Sequence, residues 1–366
     1  MKKDFYAIVA AAAKKTMPDT QVLNNFSLQE LYELSSINKV CGLVYQIVSD
    51  WKVENQQEED LLRSWKEEAT QNILREYQKI PLLQRVTELV YRNEIPVIFF
   101  KGLILADLYP AIGLRTSGDT DIYVDRKYEQ QIRHFLDICG YEQEYKLDQK
   151  NVLTYYYRED ARNTHKIELH FSLFEDFEGE EIFLLRKMDL TAEEKCVSLV
   201  SCGVHTLSMG HTEHLIYQIF HMAKHFVEQG IPMRYMLDVS LFCNHYEEEI
   251  DITYFWDCMK QLGYTSFVEC CFSICQQYFE LSKNFMENRG FETKWLQQAM
   301  EEDFLYFGTR RYGEKYAGLF FYYMMGTGNA DLQFERERLY GEIKQLGYEE
   351  VFLCRIKLLK ELGLFQ

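Results

Sequence analysis

Two carboxylates stand one residue apart in a segment that otherwise has the pattern of a strand. Asp119 and Asp121 follow Ser117 and Gly118, and residues 120–124 read TDIYV. Because successive side chains of a strand point to opposite faces, we expect both carboxylates on one face and the apolar side chains on the other. Burying such a charged face is costly unless a positive group binds there. The alternative is that the two aspartates only cap the strand after a turn.

A later segment repeats this arrangement. Lys166, Glu168 and His170 alternate with apolar residues, so they share one side of a second predicted strand. If the two strands are neighbours, Glu168 joins Asp119 and Asp121. Clustered carboxylates raise each other's pKa unless cations neutralise them, and their oxygens favour a hard divalent ion. Two such ions ~3.5–4 Å apart can clamp the attacking and leaving oxygens of a phosphoryl transfer. Glu168 could instead only keep a strand edge soluble.

The two interpretations of these carboxylates predict different stabilities. If they form a metal site, replacing Asp121 by Asn relieves repulsion, and the metal-free variant should be at least as stable as the parent chain. If Asp121 caps a strand or accepts internal hydrogen bonds, the same change should destabilise the chain.

The residues before the carboxylates have the pattern of a phosphate site. Residues 96–100, PVIFF, predict a short buried strand, and Gly102 opens a possible helix. A glycine at a strand-to-helix junction lets backbone N–H groups approach a phosphate, which a helix N-terminus also favours. Lys101 and Arg115 could supply positive charge to the same phosphates, although either could be an ordinary surface charge.

Residues 99–124, FFKGLILADLYPAIGLRTSGDTDIYV, resemble the nucleotidyltransferase superfamily with a DNA polymerase β-like palm. More narrowly, they resemble a bacterial group of uncharacterised nucleotidyltransferases, and the resemblance covers most of residues 95–242. It implies an α+β fold, in which a small mixed sheet with flanking helices lies between helical N- and C-terminal regions. It also implies that Glu168 is the third carboxylate and that the nucleotide contacts Lys101, Gly102, Arg115, Ser117 and Gly118. The sequence departs from the superfamily's phosphate loop at Leu103, where Gly or Ser is usual.

The implied activity is transfer of a nucleoside monophosphate from an NTP to an acceptor, with release of pyrophosphate. Asp119 and Asp121 would bind two Mg²⁺ ions, with Mn²⁺ as the alternative, and Glu168 would bind the catalytic ion and assist deprotonation of the acceptor. A small molecule, a peptide or protein side chain and an RNA end are all compatible acceptors. The rival hypotheses are a catalytically degenerate nucleotide-binding or interaction module, and an RNA- or tRNA-modifying toxin-like enzyme.

Three histidines share one face of a later predicted helix. His221 and His225 have the i,i+4 spacing that can ligate zinc, and His214 lies on the same face. Since no HExxH signature accompanies them, we expect no zinc. They could line the active-site cleft together with His170, or they could be structural polar residues.

The secondary-structure pattern divides the chain into three regions. The first contains a capping-box signature at Ser27 and Glu30, and Pro81 should kink or break its long helix. The second carries the strand signals, including two predicted hairpins, 152–158 with 166–171 and 197–200 with 204–209. We therefore predict a helical region at 1–93, the palm at 94–209 and a helical domain at 210–366.

Whole-chain properties limit the function classes. The chain has 366 residues and a net charge of −17, which argues against general nucleic-acid binding. Ten scattered cysteines without a CxxC pair indicate a reduced, cytoplasmic protein. The N-terminal segment predicts a first helix rather than a signal peptide, and no apolar run approaches the ~20 residues that span a membrane.

Overall fold

The computed structural model describes residues 3–144, 151–158, 164–174, 180–286, 294–306, 312–325 and 333–365. Over these residues the chain is largely helical and contains one mixed sheet. The strands are β1 Val97–Phe100, β2 Thr120–Val124, β3 Glu142–Glu144, β4 Val152–Arg158, β5 Thr164–His170, β6 Val197–Ser201 and β7 Val204–Ser208. The helices are α1 Asp4–Ala13, α2 Thr20–Leu23, α3 Leu28–Ile37, α4 Cys41–Val48, α5 Gln56–Arg92, α6 Gly102–Ala106, α7 Glu129–Ile138, α8 Glu180–Met188, α9 His211–Glu228, α10 Arg234–His245, α11 Ile252–Leu262, α12 Thr265–Phe279, α13 Lys294–Leu305, α14 Glu314–Met325, α15 Gln333–Gln345 and α16 Glu349–Glu361.

The chain divides into two compact units. The sheet unit comprises residues 11–18 and 40–214, and the helical unit comprises residues 1–10, 19–39 and 215–366. All seven strands belong to the sheet unit. The α+β class, with a mixed sheet flanked by helices, is therefore confirmed. The three-domain division at residues 93 and 209 stays a prediction.

The sheet has the strand order β3-β4-β5-β2-β1-β7-β6. β2 pairs with β5 in parallel and β1 pairs with β7 in parallel, whereas the other pairs are antiparallel. Both predicted hairpins, β4 with β5 and β6 with β7, are confirmed. The parallel β2–β5 pair brings the two segments with alternating charges side by side.

One face of the sheet is apolar and packs on α5 and α7. Each central strand alternates, so that every second side chain enters this core and its neighbours face the other way. Burying each such side chain contributes roughly 1.5–3 kcal/mol, which fixes the strand faces. The core-facing residues of the central strands are Val97, Phe99, Ile122, Val124, Ile167 and Leu169, and those of the helices are Leu83, Val86, Val90, Ile132, Phe135 and Leu136.

Helix α5 continues for 37 residues through Pro81, so the helix does not break there, and the kink predicted as the alternative stays a prediction. Proline cannot donate to the carbonyl four residues earlier, which belongs to Tyr77. Pro81 is exposed and Tyr77 is 53% exposed, so the lost hydrogen bond falls on a solvent-facing part of the helix and the helix can continue. The capping box at Ser27 and Glu30 is confirmed at the start of α3.

All ten cysteines are free thiols, and eight of them are buried. Cys196 is half-buried and Cys354 is exposed. Among the described residues, no helix is both long enough and apolar enough to cross a bilayer.

Candidate active site

Three side chains converge on the face of the sheet opposite the core. Asp121 of β2 lies directly beside Glu168 of β5 in the parallel register, and His170 follows two residues later on the same face. Ligand atoms of the three residues lie within 4.8 Å of one another. The expectation that Asp121 and Glu168 lie on adjacent strands is therefore confirmed, and both side chains lie on one face of the sheet.

Asp121 is almost fully buried, with 4% of its surface exposed. Its Oδ1 atom accepts from Lys101 Nζ at 3.3 Å and from His170 Nε2 at 3.1 Å. Burial alone would raise the pKa of Asp121, but the Lys101 charge and the His170 hydrogen bond outweigh it and hold the pKa well below its usual range. Asp121 is therefore a carboxylate at neutral pH. The edge of the His170 ring packs on Phe100, with the ring centroids 5.2 Å apart, which fixes the orientation of the imidazole.

A lysine that the sequence did not single out lies between the other two carboxylates. Lys166 Nζ is 2.5 Å from Glu168 Oε1 and 3.4 Å from Asp119 Oδ2. Burial alone would lower the pKa of Lys166, but the contacts with Glu168 and Asp119 raise it well above its usual value. The alternation that groups Lys166 with Glu168 was the available signal, yet it could not show how close the charges come. Asp119 itself, immediately before β2, is not part of the group formed by Asp121, Glu168 and His170.

Lys101 follows β1 with a backbone that non-glycine residues rarely adopt, φ +54° and ψ −114°. Its N–H donates to His214 Nε2 at 3.1 Å. Burial of His214, with the positive charges of His211, Lys101 and Arg115 nearby, lowers its pKa to about 3. The neutral imidazole can therefore accept this bond. His214, predicted only as part of a histidine face, thus contacts the backbone that carries the Lys101 side chain.

Gly102 opens helix α6, as the sequence predicts. A Cβ atom at this position would lie 3.1 Å from the Asp119 carbonyl and 3.3 Å from Ser117 Oγ. The Ser117 hydroxyl donates to the same carbonyl at 3.0 Å. Residues 117–119 approach position 102 so closely that only glycine fits there without displacing them. This structural reason for glycine adds to the predicted approach of a phosphate.

The remaining residues of the predicted phosphate site surround this turn. Arg115 is 4% exposed and its guanidinium donates to the Gly102 carbonyl at 3.3 Å. Lys79 of α5 donates to the Ser117 carbonyl at 2.7 Å, which anchors the turn to the long helix. A Cβ at Gly118 would meet no atom within 4 Å in the described part of the chain. The five residues are therefore gathered at one end of β2, and their contact with a nucleotide stays a prediction.

His221 and His225 belong to the helical unit. Their Nε2 atoms are 3.1 Å apart, and His225 Nδ1 lies 3.1 Å from Glu228 Oε2. The ring of His221 stacks on Tyr217 and on Tyr235. These contacts account for the two histidines as a packed polar pair. Their predicted place at the cleft, and the expected absence of zinc, stay predictions.

Sequence comparison assigns the class of protein that this fold and site indicate. Residues 24–280, well over half of the chain, match the family described as uncharacterised nucleotidyltransferase. The chain belongs to this family, and it is an enzyme of the nucleotidyltransferase class. No curated protein matches the sequence.

Three solved structures show distant similarity. ANT(2'')-Ia in complex with adenylyl-2''-tobramycin is 11% identical, with 49% of this chain and 98% of that chain covered and a TM-score of 0.34. An antigenic nucleotidyltransferase-like protein from Paracoccidioides brasiliensis is 10% identical, with 57% and 97% covered and a TM-score of 0.35. The Cid1 poly(U) polymerase is 12% identical, with 57% and 53% covered and a TM-score of 0.21. These similarities are too distant to bear on the substrate or the acceptor.

Proposed function

We propose that this protein transfers a nucleoside monophosphate group from an NTP to an acceptor and releases pyrophosphate, using Mg²⁺ or, as the alternative, Mn²⁺. The observation that carries the proposal is the convergence of Asp121, Glu168 and His170 on one polar face, with ligand atoms within 4.8 Å of one another. Membership of the nucleotidyltransferase family supports the same reaction class.

The side chains fit a divalent cation. Asp121 is ionised, Glu168 lies beside it in the sheet register, and carboxylate oxygens are the ligands that Mg²⁺ and Mn²⁺ prefer. Asp121 and Glu168 would hold the ion. His170 Nε2 would join them only by giving up the N–H that it donates to Asp121, and Asp119 only if its contact with Lys166 opens. A bound divalent ion would neutralise phosphate charge and polarise the α-phosphate.

The residues of the chain have separate tasks in the proposed reaction. The acceptor oxygen forms a bond to the α-phosphorus, and the bond from that phosphorus to the bridging oxygen breaks, so pyrophosphate leaves with the electron pair. Glu168, which is half-buried and reachable from solvent, accepts the acceptor proton. The Lys101 ammonium, 3.3 Å from Asp121, supplies fixed positive charge where the triphosphate would lie.

The acceptor is a hydroxyl or similar group on a small molecule, on a peptide or protein side chain, or at an RNA end. The net charge of −17 disfavours general binding of nucleic acid, because phosphate contacts supply most non-specific affinity. An RNA acceptor would therefore be recognised locally, at its end.

One observation favours a second candidate, a catalytically degenerate nucleotide-binding or interaction module. Lys101 and Lys166 together contact all three carboxylates, and a chain without metal chemistry could neutralise the cluster in this way. The two candidates differ in turnover, since only the enzyme produces a labelled acceptor.

The test is incubation with each of the four α-labelled NTPs, Mg²⁺ or Mn²⁺, and a metabolite and RNA extract. We expect label to appear in an acceptor, and we expect Asp121→Asn to abolish this product while Asp137→Asn, an exposed change on α7, does not. Binding of nucleotide without any labelled product, for all four bases, would favour the degenerate module.

A further inference from the structure

Lys166 lies where a second cation is expected in a site built from Asp119, Asp121 and Glu168. Its ammonium nitrogen is 2.5 Å from Glu168 Oε1 and 3.4 Å from Asp119 Oδ2. The side chain is 26% exposed, so most of its surface is covered. It therefore bridges the carboxylate before β2 and the carboxylate of β5.

Glu168 faces two cation positions, one with each of its oxygen atoms. Oε1 contacts the Lys166 ammonium, whereas Oε2 lies 3.8 Å from His170 Nε2, on the side of Asp121. Asp121 Oδ1 in turn contacts His170 Nε2 at 3.1 Å. The first position lies between Asp119 and Glu168 and is taken by Lys166. The second lies among Asp121, Glu168 and His170, whose ligand atoms lie within 4.8 Å of one another.

We propose that the Lys166 ammonium takes the place of one of the two metal ions of a two-metal phosphoryl-transfer site, so that the chain binds a single divalent ion among Asp121, Glu168 and His170. This inference rests on the proposed function and specifies its metal site. Asp119 then acts as the anionic partner of Lys166 rather than as a metal ligand.

The charges of the cluster are consistent with a single ion. Three carboxylates with the ammonium groups of Lys101 and Lys166 leave one net negative charge, which one divalent ion overcompensates before any phosphate arrives. An ammonium group also differs from a metal ion in the contacts that it can make with the reacting groups. It cannot coordinate the attacking oxygen directly, but it can donate hydrogen bonds to it or to a phosphate oxygen.

The experiment counts Mn²⁺ sites by titrating the full chain with Mn²⁺ alone and measuring free Mn²⁺ by electron paramagnetic resonance. The relevant sites are those abolished by Glu168→Gln, because Glu168 faces both positions; weak surface binding survives this change. We expect one such site in the wild-type chain.

The Lys166→Gln variant should have two such sites, with a spin-coupled signal because the ions would lie about 4 Å apart. Lys166→Arg keeps the charge and should have one, and so should Lys127→Gln, which removes an exposed lysine outside the site.

The Mn²⁺ counts distinguish failure of the single-ion inference from failure of the proposed function. Two sites in the wild-type chain, or a single site in folded Lys166→Gln, would overturn the inference while leaving the metal site intact. If Glu168→Gln abolishes no Mn²⁺ site in the wild-type chain, the metal-dependent function fails as well. If Lys166→Gln does not fold, as judged by circular dichroism, the wild-type count alone decides between one ion and two.

Discussion

Asp121 is almost completely enclosed, yet it carries a charge. The ammonium of Lys101 and the imidazole N–H of His170 both contact the same oxygen atom, and together they outweigh the cost of burial. For a metal site, the sequence predicts that bare carboxylates repel one another. The contacts of Asp121 do not fit that expectation. The cluster is neutralised by side chains of the protein itself, and this reverses the expected sign of one substitution.

Asp121→Asn should lower the free energy of unfolding of the metal-free protein by about 1–3 kcal/mol. The amide keeps the volume of the side chain but removes the carboxylate charge that faces the largely enclosed Lys101 ammonium. Denaturant unfolding in the presence of a chelator measures the effect, with Asp137→Asn as the exposed control, expected within about 0.5 kcal/mol of wild type. Equal or greater stability of Asp121→Asn would mean that repulsion dominates after all.

His214 should make the protein sensitive to acid. Its pKa is about 3 in the folded state and about 6.5 in an unfolded chain, so below pH ~6.5 the unfolded state binds a proton that the folded state does not. Stability should therefore fall as the pH is lowered from ~6.5 towards 3. His165, whose pKa burial also holds well below its usual value, adds to the same trend.

His214→Gln should reduce this acid sensitivity, because glutamine keeps an acceptor for the Lys101 N–H but does not titrate. The slope of the unfolding free energy against pH should become shallower by up to about 1.4 kcal/mol per pH unit. Urea unfolding between pH 7 and pH 5 provides the measurement, and His134→Gln, an exposed change on α7, serves as the control. An unchanged slope would show that His214 titrates normally in the folded protein.

At the scale of elements, the turn at residues 117–119 connects the predicted phosphate site to the carboxylates. It packs against Gly102 on one side and is held by Lys79 of α5 on the other. The position of Asp119, and through it that of Lys166, depends on this packing. The helix start, the turn and strand β2 therefore act as one rigid support for the site.

Gly102→Ala should destabilise the protein by about 1–3 kcal/mol, because the new methyl group meets a backbone carbonyl at 3.1 Å. Gly118→Ala is the matched control in the same turn: its Cβ meets nothing within 4 Å among the described residues, and we expect a change below about 0.5 kcal/mol. Thermal and denaturant melts of both variants test the difference. Equal effects would indicate that the turn yields freely and does not fix Asp119.

The elements also show what a sequence can and cannot reveal. The alternation of polar and apolar residues predicted the polar faces of β2 and β5. A one-residue shift in strand register would move Ile122 and Ile167 out of the core. It could not reveal that Lys166 bridges two carboxylates, since that depends on side-chain distances across strands. The sequence predicted a kink or break at Pro81 because proline has no N–H to donate. In the structure, Pro81 occupies an exposed position of a long packed helix, and the helix continues despite the lost hydrogen bond.

At the scale of the whole molecule, the candidate site belongs to one of two compact units. Asp121, Glu168, His170 and the Lys101–Gly102 junction all lie within the sheet unit, and so does His214. A ligand that binds these residues stabilises this unit by mass action, whatever the intrinsic stability of the helical unit.

Mg²⁺ with a non-hydrolysable NTP analogue should raise the melting temperature of the wild-type protein. At a ligand concentration of about 100 Kd the gain is about 2.7 kcal/mol, or roughly 5–10 °C for a unit of this size. Differential scanning calorimetry should show a much smaller shift for Asp121→Asn. If none of the four analogues shifts the wild-type transition, the proposed nucleotide site is wrong.

The reactivity of the cysteines should report when each of the two units unfolds. Cys354 alone is exposed, and burial raises the pKa of Cys202 in the sheet unit and of Cys275 in the helical unit to about 12. A thiol reagent should thus modify Cys354 within the first moments and reach the other two only when their own unit unfolds, because neither solvent nor thiolate is available before that. Mass spectrometry of the modified peptides over time would then report the opening rate of each unit separately, in the natural sequence and without any engineered label.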